Sequence, residues 1–160
     1  MTEPMLYFAY GSNMDPQQMK RRCPSSRFES VAKLSNYELA FTLRSQRRRC
    51  GVANVLPSKG NNVYGVLYRI NGIRDWKVLD AAEGFRPRYK RGNRYIRTER
   101  REQKLSGFPV IVSAFIYIGL IEKFFSRPNK TYLNQMIKGA KFYQFPDHYL
   151  QSLNTTVYKC

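Results

Sequence analysis

Residues 5–16 read Met-Leu-Tyr-Phe-Ala-Tyr-Gly-Ser-Asn-Met-Asp-Pro, and no other stretch of the chain constrains the fold as tightly. Met5 to Tyr10 is an apolar and aromatic run of strand length, which reads as a buried first strand. Gly11-Ser12-Asn13 breaks that run. Asp15 then stands as a helix N-cap, with Pro16 at the first helical position, where a missing N–H costs nothing. Gln17 to Cys23 follows as a short helix, and Pro24 ends it. A buried strand, a glycine loop and a helix start thus fall within about a dozen residues.

Strand-forming segments dominate the chain beyond Pro24. Arg27 to Thr42 reads as extended, two short strands broken near Ser35-Asn36. Arg44 to Arg49 is a polar, basic loop. Gly51 to Leu56 and Asn62 to Ile70 read as a strand pair joined by Pro57-Ser58-Lys59-Gly60-Asn61, which is strong turn chemistry. Arg74 to Glu83 reads as a helix carrying Trp76, Leu79 and Glu83 at i, i+3 and i+7, and Gly84 sits where a C-terminal cap glycine belongs. Arg86 to Lys104 holds nine Lys or Arg against Glu99 and Glu102, and reads as an edge strand or exposed hairpin. In the apolar stretch Phe108 to Ile121, Val110 to Tyr117 is near-continuous and therefore a central strand. Leu133, Met136, Ile137 and Ala140 mark an amphipathic helix, and Pro146 opens a last short helix with Tyr149, Leu150 and Leu153. The expectation is one α+β domain over residues 1–160: a small mixed, strongly twisted, β-barrel-like sheet with flanking helices.

Composition narrows the chemistry more than the fold. Cysteines 23, 50 and 160 have no metal-ligand spacing, and the sole histidine is His148. No metal site is expected, and a Ser-His or Cys-His nucleophile has little to build on. Proton chemistry must rest on carboxylates, Tyr or Lys. No run of about 18 apolar residues exists to span a membrane. The N-terminus lacks the basic start and apolar core of a signal peptide, and the odd cysteine count reads as free thiols, so a cytoplasmic location is expected. The net charge is +17. It serves either plain solubility or an acidic partner: nucleic acid, an acidic protein or an anionic substrate.

Two segments could carry chemistry. Tyr10-Gly11-Ser12-Asn13 presents backbone N–H groups where no glycine side chain blocks a ligand, a setting for a carboxylate, a phosphate or an oxyanion. The same residues are also those of an ordinary strand-to-helix turn. Glu83 shares the core-facing side of its helix with Trp76 and Leu79, where burial raises a carboxyl pKa and makes a general acid/base. A salt bridge to Arg86 or Arg88, or a solvated helix end, would equally account for it. The basic segment 86–104 with its interleaved Tyr suits either nucleic acid or a solvated strand face. His148 beside Asp147, Ser12 without a base, and Cys50 beside Arg47 to Arg49 are weaker candidates.

In combination these segments resemble the γ-glutamylcyclotransferase-like (AIG2-like) family. The matching residues are Tyr7-Phe8-Ala9-Tyr10-Gly11-Ser12-Asn13, then Val63-Tyr64-Gly65-Val66-Leu67-Tyr68, then Leu79-Asp80-Ala81-Ala82-Glu83-Gly84-Phe85 followed by Tyr89, with further similarity from Tyr132 to Tyr149. The resemblance implies a small mixed barrel and a γ-glutamyl amide substrate. Its α-amine attacks its own γ-carbonyl, releasing 5-oxoproline and an amine without metal or organic cofactor. It implies Glu83 as the catalytic acid/base, Tyr10, Gly11, Ser12 and Asn13 as holders of the glutamyl end, and Tyr89 near the site. The enzyme would act as a monomer or homodimer. The excess positive charge leaves a second reading open: a basic binding module on the same scaffold, engaging nucleic acid or an acidic protein without catalysis.

Overall fold

The computed structural model describes residues 5–89, 92–105, 109–120 and 125–158. Five strands close into a barrel in the order β1-β3-β2-β4-β5. β1 (Met5–Ala9) pairs antiparallel with β3 (Cys50–Ile70) along its whole length, from Met5↔Ile70 to Ala9↔Val66. β4 (Tyr95–Lys104) pairs antiparallel with β5 (Ile111–Gly119). The barrel closes where β1 meets β5 in parallel, at Tyr7↔Phe115. The sheet is therefore mixed, as expected. The buried first strand is confirmed: Tyr7, Phe8 and Ala9 lie in the core beside Leu34, Val63, Leu67 and Ile116.

The wall is dominated by one long hairpin, β2 (Arg27–Ser45) against β3. Two expectations need correction here. The break near Ser35-Asn36 and the turn at Pro57 to Asn61 are one feature, a wide bulge between the pairs Ser35↔Asn62 and Tyr37↔Pro57. Asn36 adopts φ 64°, and its side-chain oxygen accepts from the Gly60 N–H at 3.1 Å. The extra residues on β3 are absorbed sideways, so both strands continue in the same direction. The reversal occurs instead in the basic segment after Ser45, where Arg49 takes φ 53°. Also, β4 is not an edge strand. Ala32↔Lys104 and Lys33↔Gln103 pair it to β2, because barrel closure leaves no free edge. The expected strand ends Phe108 and Ile121 lie outside the described residues, as does Cys160.

Helices brace the barrel. α1 (Pro16–Arg22) starts at Asp15, whose carboxylate accepts from the Gln17 N–H at 3.0 Å. α2 (Ile73–Ala82) buries Trp76 and Leu79, and Gly84, at φ 65°, ends it with Glu83 as the cap residue. The Trp76 ring meets Tyr7 and Phe115 edge-on at 6.2 and 5.4 Å. α3 (Lys130–Phe142) runs so close to the Ser12–Met14 turn that a Cβ on Gly139 would lie 2.3 Å from the Met14 carbonyl. α4 (Asp147–Asn154) closes the order of elements, with Tyr149 and Leu153 buried. Among the described residues no helix is long and apolar enough to cross a membrane.

One buried group is anomalous. Glu102 is 0% exposed, and among the described residues neither carboxyl oxygen makes a well-formed hydrogen bond, the Ala114 N–H coming only near enough to act weakly. Burial pushes its pKa from 4.5 up to about 9, against weaker pulls from the Ala114 N–H and Arg100. The folded protein thus keeps a proton that the unfolded chain releases above about pH 4.5. Stability should fall as pH rises from there toward 9. Glu83 acts in the same direction, but only up to about 7. Urea midpoints measured between pH 7 and 9 should drop for the wild type, and Glu102→Gln should remove most of that drop. An unchanged drop would mean that Glu102 already ionises in the folded state.

Candidate active site

The strand-to-helix corner, the hairpin tip and the end of α2 converge on a cavity of about 320 Å³. Tyr10, Gly11, Ser12 and Asn13 form one wall and Ala81, Ala82, Glu83 and Gly84 another. Arg47 and Arg48 from the hairpin tip, Arg22 from α1, Arg94, and the rings of Tyr7, Tyr95, Tyr117 and Tyr132 also line it, with Ser45, Gln46, Val52 and Ala53 of the β2–β3 hairpin. The corner turns in a single 3-10 turn: Met14 N–H donates to the Gly11 carbonyl and Asp15 N–H to that of Ser12, both at 3.1 Å.

Side chains lock this turn. Asn13 is buried; its Oδ1 accepts from Gln18 Nε2 at 2.9 Å and from Arg22 at 2.8 Å, while its Nδ2 donates to the Tyr7 hydroxyl at 2.9 Å. The Tyr68 hydroxyl donates to the Asn13 carbonyl at 3.1 Å. Ser12 Oγ accepts from Gln18 Nε2 at 2.8 Å. Opposite, the Tyr132 hydroxyl accepts from the Ala53 N–H at 3.0 Å, and the Tyr95 hydroxyl donates to the Ala53 carbonyl at 2.6 Å. The Arg48 guanidinium lies 5.0 Å from the centre of the Tyr132 ring.

Among the described residues lining this cavity, Glu83 is the one acid, facing Arg22, Arg47, Arg48 and Arg94. No ion pair or hydrogen bond engages its carboxyl there, so the salt bridge to Arg86 or Arg88 does not form. Desolvation raises its pKa from 4.5 to about 7, with Arg22 and Arg48 pulling downward. Burial likewise keeps Tyr10 and Tyr95 protonated and pushes Tyr132 up to about 12. These hydroxyls can hydrogen-bond a ligand but cannot act as bases near pH 7. One carboxyl, with no His or Cys in the lining, is too small a donor set for a metal.

The profile of the family "Gamma-glutamyl cyclotransferase, AIG2-like" matches residues 7–132. The chain belongs to this family. It is 28% identical to the mouse γ-glutamylcyclotransferase over 155 residues, 94% of this chain and 78% of that protein. The human γ-glutamylcyclotransferase is 37% identical over 86 residues, 51% of this chain and 45% of that one. A solved γ-glutamyl cyclotransferase structure superposes with a TM-score of 0.85 at 26% identity, covering 98% of this chain and 90% of the other.

Within this γ-glutamyl cyclotransferase fold, Tyr10, Gly11, Ser12, Asn13 and Glu83 line one cavity. Tyr89 does not join them. Asn93 pins the turn from Arg86 to Tyr89 by bonding the Arg86 N–H at 2.8 Å and the Tyr89 carbonyl at 2.9 Å. That turn leaves Tyr89 61% exposed, with the Arg86 guanidinium 5.8 Å from its ring centre. His148 packs against Tyr64, outside the cavity lining. Cys50 is buried and unpaired, like Cys23. Sequence reasoning missed Gln18, Arg22 and Arg48. The first two stand four residues apart on α1, a spacing that places them on one helix face.

A Cβ at Gly11 would lie 3.0 Å from the Tyr132 hydroxyl and 3.4 Å from the Ala53 Cβ. The backbone there has a negative φ, −112°, outside the left-handed region. Gly11→Val should therefore keep the wild-type circular dichroism spectrum and lose most affinity for a γ-glutamyl ligand, as read by calorimetry. Loss of the fold instead would make Gly11 a packing glycine.

Proposed function

We propose that the protein is a γ-glutamyl cyclotransferase: it converts a γ-glutamyl amide to 5-oxoproline and the free amine. The observation that carries this reading is a Glu83 carboxyl that shares a small cavity with the Gly11 corner and makes no ion pair among the described residues, where desolvation pushes its pKa up to about 7. Family membership supports it. Two unpaired buried thiols fit a reducing compartment, the cytoplasm.

The reaction asks little covalent work of the protein. The nucleophile is tethered to its electrophile, so holding the glutamyl chain curled supplies proximity. Tyr10, Gly11, Ser12 and Asn13 hold the glutamyl end, with backbone N–H groups of the corner as anion donors. Glu83, ionised, takes a proton from the α-ammonium. The α-nitrogen then bonds to the γ-carbon, closing a five-membered ring. The bond from that carbon to the amide nitrogen breaks as Glu83 returns its proton to the departing amine, and the second proton that the α-nitrogen sheds on becoming the lactam N–H passes to that amine, which leaves as an ammonium. Protons and electrons balance, with no oxidant or second substrate. A pKa near 7 suits both transfers, because the group is a competent base and then a competent acid near neutrality.

Two outcomes test this. Glu83→Gln should bind substrate and stay folded, yet lose about 10²–10⁴-fold or more in single-turnover 5-oxoproline release. Near wild-type release would leave Glu83 a structural carboxyl. In the wild type, kcat/KM should fall as pH drops below about 7, as Glu83 protonates. Arg22→Gln removes a charge that favours the carboxylate, so this acidic limb should move to higher pH. A limb that stays in place would mean that Arg22 does not act on Glu83.

A further inference from the structure

The cavity adjoins a second concavity of about 530 Å³ that the mechanism does not use. Ala81 and Gly84 line both. The rest of the groove is Lys77, Asp80, Phe85, Arg86, Pro87, Arg88 and Tyr89. Its one acid is already spent: Arg97 donates to both Asp80 oxygens at 3.0 Å, and the Tyr117 hydroxyl donates to Oδ1 at 2.6 Å. Lys77, Arg86 and Arg88 are exposed, and no salt bridge is made by any of them among the described residues. The groove therefore joins unneutralised cations to the exposed faces of Phe85 and Tyr89.

Position says which end of a substrate meets it. Glu83 must reach both the α-nitrogen and the departing nitrogen. The glutamyl end lies against the Gly11 corner on the far wall, so the departing nitrogen is on the Gly84 side. Gly84 has no side chain and open space where a Cβ would stand, so this shared residue puts no side chain between cavity and groove. A cavity of about 320 Å³ is at the small end of ligand sites, so a γ-glutamyl amide with a long amine part outgrows it. The shared residues Ala81 and Gly84 give a longer amine part its route into the groove.

We infer that this groove is the subsite for the amine part of the substrate and that it selects γ-glutamyl amides of short acidic peptides. This rests on the cyclotransferase reading. The cations pair with side-chain carboxylates, and Tyr89 packs on the peptide's aliphatic stems.

The test compares γ-Glu-Glu-Glu with γ-Glu-Gln-Gln, which share shape and length and differ in side-chain charge. In the Glu83→Gln protein, where ligand stays intact, calorimetry should show roughly 3- to 30-fold tighter binding of the acidic peptide, weakening as salt rises. Adding Arg86→Gln with Arg88→Gln should bring that ratio close to one. Adding Lys59→Gln with Lys141→Gln, which line neither cavity nor groove, should leave it. Equal or undetectable affinities in the parent, a ratio that survives loss of both groove arginines, or one lost with the remote lysines would each overturn the inference. Release of 5-oxoproline from γ-Glu-Gln-Gln by wild-type protein is scored separately. Its absence would sink the cyclotransferase reading, while the binding ratio still judges the groove.

Discussion

The carboxamide of Gln18 holds together the pieces that make the site. Its nitrogen donates to Ser12 Oγ and Asn13 Oδ1, and its oxygen accepts from Arg48 at 3.1 Å and Gln135 at 2.7 Å. Corner, hairpin tip and α3 thus meet on one buried side chain. The polarity of the network is dictated, because a guanidinium has only donors. Arg48 forces the Gln18 oxygen toward itself, which turns the Gln18 nitrogen toward the corner. Arg22 forces the Asn13 oxygen inward, which leaves the Asn13 nitrogen for Tyr7. A fully satisfied buried network of this kind rigidifies what it joins, and a half-satisfied one is costly. The corner's N–H groups are therefore held in place before any ligand arrives.

The barrel's closure explains where the acids went. The chain carries 28 basic residues and 11 acidic ones. Glu29 takes Arg69 at 2.7 Å and Lys104 at 2.6 Å, on the seam of β2, β3 and β4. Asp80 takes Arg97, whose guanidinium also lies 5.0 Å from the centre of the Trp76 ring. Asp15 caps α1 and meets Lys138 of α3 at 3.5 Å. Acids spent on joining elements leave little to neutralise the surface, so the excess charge is a surface property more than a fold property.

The local signals in the sequence were legible where one residue type has one physical use. Met5 to Tyr10 had to be a buried strand, Asp15-Pro16 a helix start, and Glu83-Gly84 a helix end. Glu83 stood out because a carboxyl on the Trp76 and Leu79 face is unusual, yet a salt bridge or a solvated helix end accounted for it equally until its surroundings were seen. The β2–β3 bulge was not, because Pro57 to Asn61 has the composition of a hairpin turn, and only pairing with β2 shows that the strand carries on. Nor was the closed barrel's use of β4, since its basic residues look the same on an edge as on an outer wall. Arg48 was hidden in a loop with no period. Tyr89 was placed by resemblance alone, and the local turn around Asn93 decides its position instead.

Glu83 is held between two opposed effects, and the balance matters more than either. Desolvation beside the cavity's five tyrosines disfavours the charge of this half-buried carboxyl; documented fully buried ones reach about 8–9. A solvated one stays near 4.3. Arg22 and Arg48 pull against that desolvation, which leaves Glu83 at about 7, and neither forms an ion pair with it among the described residues. A direct pair would hold the carboxylate ionised and silence it as an acid. Distance is what keeps it usable, and that distance is set because both guanidiniums are committed elsewhere: Arg22 to Asn13, Arg48 to Gln18 and the Tyr132 face. The contacts that shape the Gly11 corner are thus the same contacts that keep Glu83 titrating near neutrality.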